Sequence, residues 1–161
     1  MNIAQIRKYD VANGPGIRTT MFVSGCTHDC KNCFNKEYQN FAYGEKFNKE
    51  IENRIVSYVA QTNRLSVLGG EPMQQNLELV GLLKRVKEET DATIWMWTGY
   101  VYENLQTEMQ KKILEYVDVL VDGPFIECKK DLTLKFRGSS NQRIIDVKKT
   151  KAFGRIITME V

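Results

Sequence analysis

An α/β domain, its sheet mostly parallel and curled as an open or partial β/α barrel, is the fold this sequence predicts. Three observations predict it. Short β-branched or aromatic runs alternate with amphipathic helical stretches, the pattern of βαβ units. The strands that can be read are too few for a closed eight-stranded barrel, which needs about 250 residues. The chain has 161 residues, the length of one domain, so residues 1–161 are expected to form a single unit.

The elements follow in order. Ile3 to Asp10 reads as extended, and Asn13-Gly14-Pro15-Gly16 is a turn cluster. Arg18 to Val23 is β-branched and aromatic, a strand that leads into a cysteine-rich loop. Asn48 can cap a helix to about Gln61, with Ile51, Ile55 and Val59 at helical spacing. Leu65 to Leu68 is a strand ending at Gly69-Gly70, and Asn76 can cap a helix carrying Leu79, Leu83 and Val86. Thr93 to Trp97 is the third strand, with Trp95 and Trp97 on one face as core residues. A helix over about Thr107 to Tyr116 carries Met109 and Ile113, and Val117 to Val121 is the fourth strand, ending at Asp122-Gly123-Pro124. Arg143 to Val147 and Ile156 to Met159 are weaker strand candidates, and Lys148, Lys149, Lys151 and Arg155 read as a solvated tail.

Composition excludes several classes. Hydrophobic residues make up 42% and charged residues 27%, as in an ordinary folded domain. The longest apolar run, Ile94 to Trp97, is far short of the roughly 20 residues that span a bilayer. The N-terminus lacks the apolar stretch of a signal peptide, so a cytoplasmic chain is expected. The net charge is +3, and the pI of about 8.6 falls short of the basic signature of a direct nucleic-acid binder.

In open α/β sheets the chemistry sits outside the carboxyl ends of the strands. The first strand delivers Cys26, Cys30 and Cys33 in a C-x3-C-x2-C loop. Three thiolates on one loop can hold three corners of an iron–sulfur cube and leave one iron open. The alternative is a Cys3His zinc module using His28, the only histidine, although two residues from Cys26 is tight for such a site. Cys128 reads as an ordinary thiol. The second strand ends in Gly69-Gly70-Glu71-Pro72. Glycines there allow close approach of a ligand, and a carboxylate suits an ammonium group. Thr98 and Asp122 end the next two strands, either as caps or in contact with a ligand or cation. Arg18, Arg137 and Arg143 are expected on the solvated surface, or against a partner or a ligand carboxylate.

The cysteine loop and the GGE stretch together resemble the radical S-adenosylmethionine (SAM) enzymes. Asn13-Gly14-Pro15-Gly16-Ile17-Arg18, Trp95 to Tyr100, Val117 to Gly123 and Phe136 to Arg143 are similar to the glycyl-radical enzyme activases. Within these they are similar to the branch acting on anaerobic ribonucleotide reductase. The match runs from about residue 5 to 147. It implies a partial barrel of radical SAM type and a 4Fe–4S cluster on Cys26, Cys30 and Cys33. SAM would bind the fourth iron, with Gly69, Gly70 and Glu71 at its methionine part and Asn32, Cys33 and Phe34 along the adenosine. By this resemblance an external donor such as a flavodoxin supplies one electron and the SAM sulfonium is cleaved. The resulting 5′-deoxyadenosyl radical takes hydrogen from a glycine of the large reductase subunit. A homodimer is an assembly this allows. Another radical SAM enzyme, or the activase of a different glycyl-radical enzyme, is the nearest alternative.

Overall fold

The tight turn at Asn13–Gly16 can join only neighbouring antiparallel strands, and it does. In the computed structural model, which describes residues 1–161, β1 (Asn2–Asp10) pairs antiparallel with β2 (Arg18–Ser24). A two-residue strand, β3 (Glu45–Lys46), lies on the outer side of β1. Three βα alternations follow. Helix α1 (Lys49–Thr62) leads to β4 (Arg64–Gly69), α2 (Leu77–Glu89) to β5 (Thr93–Trp97), and α3 (Glu108–Leu114) to β6 (Val119–Asp122). The strands β2, β4, β5 and β6 are parallel neighbours. After a long connection, β7 (Arg143–Asp146) runs antiparallel to β6, and α4 (Val147–Phe153) follows at once.

The result is an open seven-stranded sheet in the order β3-β1-β2-β4-β5-β6-β7. It does not close into a barrel. Only its central four strands are parallel, so the expected mostly parallel sheet is corrected to a mixed one. The antiparallel margins arise where the chain returns without a crossover helix.

The helix starts follow the side chains expected to cap them. Asn48 Oδ1 accepts from the Ile51 N–H at 2.9 Å, and Asn76 Oδ1 from the Glu78 N–H at 2.9 Å. Thr107 and Gln110 form a reciprocal capping box. The period of two along β5 sorts its side chains. Ile94 and Met96 join the 24-residue core between sheet and helices, whereas Trp95 packs in a second cluster on the opposite face, with Trp97 against it. The two indole rings lie 5.8 Å apart, as their shared face implies. Each fully buried aliphatic side chain in the main core, such as Ile55 or Leu83, contributes roughly 1.5–3 kcal/mol of transfer free energy.

Three local expectations are corrected. Arg18 is buried, not solvated. Its guanidinium donates to Ser66 Oγ at 2.7 Å and to the carbonyls of Leu65 and Pro15, and lies 5.6 Å from the Trp95 ring. Burial, then the Arg64 charge, pull its pKa down to about 10, so it remains a cation at neutral pH. Lys148, Lys149 and Lys151 lie on α4 rather than on a tail, with Asp146 capping that helix through the Lys149 N–H. Ile156 to Met159 forms no strand. It makes one bridge, Thr158 to Ile145, together with a bond from the Met159 N–H to the Ile144 carbonyl.

Candidate metal and cofactor site

Parallel neighbours place their carboxyl ends on one rim, and the chain has its chemistry there. Beyond β2, the Glu71 N–H donates to the Gly25 carbonyl at 2.7 Å and the Gly70 N–H to the Val23 carbonyl at 2.9 Å. The cysteine loop and the GGE turn are thus joined backbone to backbone. A Cβ on Gly70 would stand 2.7 Å from the carbonyl oxygens of Gly25 and Tyr38. A side chain at Gly70 would therefore collide with the root of the cysteine loop, which requires glycine here whatever else the turn faces.

A cavity of about 520 Å³ opens beside this junction. Cys26, Cys30, Cys33, Gly69, Gly70 and Glu71 are all on its wall, so the two motifs meet in space. All three cysteines are free and half-buried. Burial pushes the Cys26 thiol up to about 11, with the Glu71 carboxylate adding to the rise and the His28 backbone N–H opposing it. Burial also raises Cys30, against the Phe125 backbone N–H. Cys128 is exposed and lies in a separate shallow depression beside Lys31.

Glu71 is buried, and its carboxylate is fully engaged by the protein. Oε1 accepts from His28 Nε2 at 2.8 Å and from the Gly99 N–H at 2.7 Å. Oε2 accepts from the Met73 N–H at 2.9 Å and from Thr98 Oγ1 at 2.8 Å. Thr98 therefore serves the site through Glu71 and is not itself on the cavity wall. Asp122 is also off the wall. It accepts from Arg143 and from the Tyr102 N–H at 2.8 Å, which makes it a strand-end clamp. Phe34 lines the cavity with its ring 4.9 Å from Phe125, whereas Asn32 turns outward and donates to Glu127. Arg137 lines the cavity and donates to the Gln142 carbonyl, and its buried Nε has no partner.

Two contributors escaped the sequence reading. His28 bonds Glu71 from the same cavity wall as the three cysteines, and no signal in the sequence beyond its being the sole histidine marks this. The connection from Gly123 to Gln142 folds along the cavity, held by the bond from Trp97 Nε1 to the Phe136 carbonyl at 2.7 Å. Phe136 has φ +62°, a left-handed conformation rare for an aromatic residue.

Three thiols and a strand-end turn share one cavity, and the family match gives the class, a protein with a single iron–sulfur cluster domain. Residues 12–145 match the family described as a 4Fe-4S single cluster domain. The chain is 44% identical over 151 residues to the anaerobic ribonucleoside-triphosphate reductase-activating protein of Vibrio cholerae, covering 89% of this chain and 97% of the relative. The like-named proteins of Escherichia coli K12 and Enterobacteria phage T4 are 39% and 36% identical, over 88% and 89% of this chain and 96% and 93% of theirs. The chain belongs to the family of anaerobic ribonucleoside-triphosphate reductase-activating proteins. No helix is long and apolar enough to cross a membrane.

Proposed function

We propose that this chain activates an anaerobic ribonucleoside-triphosphate reductase by reductive cleavage of SAM. The observation that carries the reading is the meeting of Cys26, Cys30 and Cys33 with Gly69–Glu71 on one cavity. The donor set fits the group: three thiols from one loop and no fourth cysteine on the wall suit a cube with one iron left for a ligand. When bound, a 4Fe–4S cluster supplies the electron that splits the SAM C–S bond, and the 5′-deoxyadenosyl radical so released abstracts hydrogen from a glycine of the reductase.

The chain's own residues bind and orient. Cys26, Cys30 and Cys33 ligate as thiolates, so loading releases protons. The backbone of Gly69 and Gly70 faces the methionine part of SAM, with Glu71 fixing that turn. Phe34, Phe125 and Phe136 supply an apolar stretch of the wall, beside polar residues such as Arg137 and Gln142, and shield the reacting carbon from water on that side. The backbone from Asn32 to Phe34 flanks the adenosine, the Asn32 side chain being turned away to Glu127. No side chain needs to act as general acid or base, because the hard chemistry belongs to the cofactor. The partner is the large glycyl-radical subunit, and the electron comes from an external donor of flavodoxin type.

Anaerobic reconstitution followed by dithionite and SAM tests this. About four irons per chain, with 5′-deoxyadenosine and methionine formed, is the expected result. A glycyl radical signal should appear on addition of the reductase subunit. One tightly held zinc and no cleavage would overturn it. Cleavage without a radical on the reductase would assign the chain to another radical SAM reaction.

A further inference from the structure

His28 lies in sequence between two proposed cluster ligands and lines the same cavity, and its ring is bonded to the GGE turn. Its Nε2 meets Glu71 Oε1 at 2.8 Å across 43 residues of sequence. A carboxylate can only accept, so Nε2 carries the proton. The ring has a fitted slot. It stands edge-on to Tyr100 with centroids 4.6 Å apart, and a Cβ on Gly99 would come within 2.8 Å of its Cδ2. The neighbouring residue is held from the same side. The Thr27 N–H donates to Gln74 Oε1 at 3.0 Å, and Gln74 Nε2 donates to Thr27 Oγ1 at 2.7 Å and to the Tyr100 hydroxyl at 3.0 Å. The stretch between Cys26 and Cys30 is therefore pinned by side chains to both the GGE turn and the end of β5.

We infer that His28 is a positioning residue that fixes the cysteine loop against the Gly69–Glu71 turn, setting where a SAM amino acid group sits relative to the open iron. The inference rests on the reading above and deepens it. The four acceptor positions of Glu71 are taken by His28, Gly99, Met73 and Thr98. Glu71 thus acts on the ligand through the placement of the glycine backbone, and His28 is the one of its four partners supplied by the cysteine loop. The slot at Gly99 holds the ring in place, which marks it as a fixed strut and not a side chain that leaves when ligand arrives.

The test uses the full chain, with and without iron. In the iron-free protein, His28→Ala should speed alkylation of Cys26 and Cys30 by iodoacetamide several-fold, read by mass spectrometry. In the reconstituted protein with unchanged iron content, SAM should bind about tenfold more weakly, the scale of one lost charge-assisted hydrogen bond. The change that SAM induces in the electron paramagnetic resonance of the reduced cluster should weaken in parallel. His28→Gln, whose amide can place a donor near the Nε2 position, should restore both. Gly99→Ala, which pushes a methyl into the slot, should reproduce the defect in the wild-type background and add nothing to His28→Ala.

Unchanged alkylation and SAM affinity in His28→Ala would overturn the inference, and so would tighter SAM binding, which would mark His28 as a competitor for the site. A defect that His28→Gln fails to restore would overturn it as well. If the wild-type protein, carrying its irons, neither changes its spectrum with SAM nor cleaves it, the parent reading fails instead. The alkylation result on iron-free protein still decides whether His28 holds the loop.

Discussion

Arg143 and Asp122 face each other across the β6–β7 ladder as register partners and form a two-point ion pair. Arg143 Nη2 lies 2.6 Å from Asp122 Oδ2, and its Nε lies 3.1 Å from Oδ1. Glu103 takes the other side of the same guanidinium at 2.6 Å. The hydrogen bonds to Asp122, then to Glu103, push the Arg143 pKa further up. Asp122 is almost wholly buried, so removing Arg143 leaves a carboxylate with one backbone donor and no charge partner. Arg143→Ala should lower stability by about 2–3 kcal/mol. That is below the loss for a fully buried pair because Arg143 is partly exposed. Urea unfolding measures it.

The thiols are not equivalent. Cys30→Ala should reduce iron bound after reconstitution by more than half and abolish SAM cleavage. Cys128→Ala should leave both at wild-type values, because Cys128 is exposed and off the cavity. Iron analysis and chromatography of 5′-deoxyadenosine check the two variants side by side.

Burial raises Cys26 to about 11. Only the thiolate alkylates. In the iron-free chain its alkylation rate should climb about tenfold per pH unit beyond pH 9, where an unperturbed thiol has begun to level off. A plateau near pH 9 at Cys26, read by mass spectrometry of the modified peptide, would contradict the burial seen here.

Asp118 ties three elements together. It accepts from the Ile94 N–H at 2.8 Å and pairs with Lys87 and with Lys148, the latter at 3.2 Å. Burial pushes its carboxyl up, but the bonds from Lys87 and Ile94 outweigh that and hold it below the ordinary carboxylate range. A depressed pKa stabilises the folded state above the unfolded value, and the gain is lost as pH falls through the folded one. Asp118→Asn should therefore cost about 1–2 kcal/mol at pH 7 and progressively less below pH 4. Thermal melts across pH 3–7 would show the two proteins converging in acid.

Gly70 tests the backbone junction. Gly70→Ala forces a methyl against two carbonyl oxygens, at Gly25 and Tyr38. The strand end must move away from the cysteine loop, so both stability and iron content should fall together. A protein that loads iron normally would show that the junction yields without cost.

The parts of this molecule legible in its sequence are those with local causes. Asn48 and Asn76 cap where expected because a cap needs only a residue and the helix it starts. The parallel strands follow from alternation, and the rim follows from parallel strands. The rest depends on partners far away in the chain. Arg18 resembles a surface arginine until Ser66 and the Leu65 carbonyl arrive from β4. Asp122 reads equally as a strand-end cap or a ligand contact, and its ion-pair partner Arg143 arrives only with β7. The second reason for the Gly69-Gly70 pair, backbone of β2, Gly25 and Tyr38 packed against it, comes from elements distant in sequence. Ile156 to Met159 has strand composition but finds only one bridging position on β7.

Both margins of the sheet are covered only in part. At one, β3 offers two exposed charged residues, Glu45 and Lys46. At the other, the Asp146 N–H donates to the Ile157 carbonyl and the Met159 N–H to the Ile144 carbonyl, so the C-terminal segment lies along part of β7. A free strand edge is what lets one chain extend another's sheet, in aggregates and in strand-swapped assemblies alike. Here the cover is short at both margins, two residues of β3 beside β1 and one bridge beside β7, so the outer edge of β1 beyond Ile3 has no strand next to it.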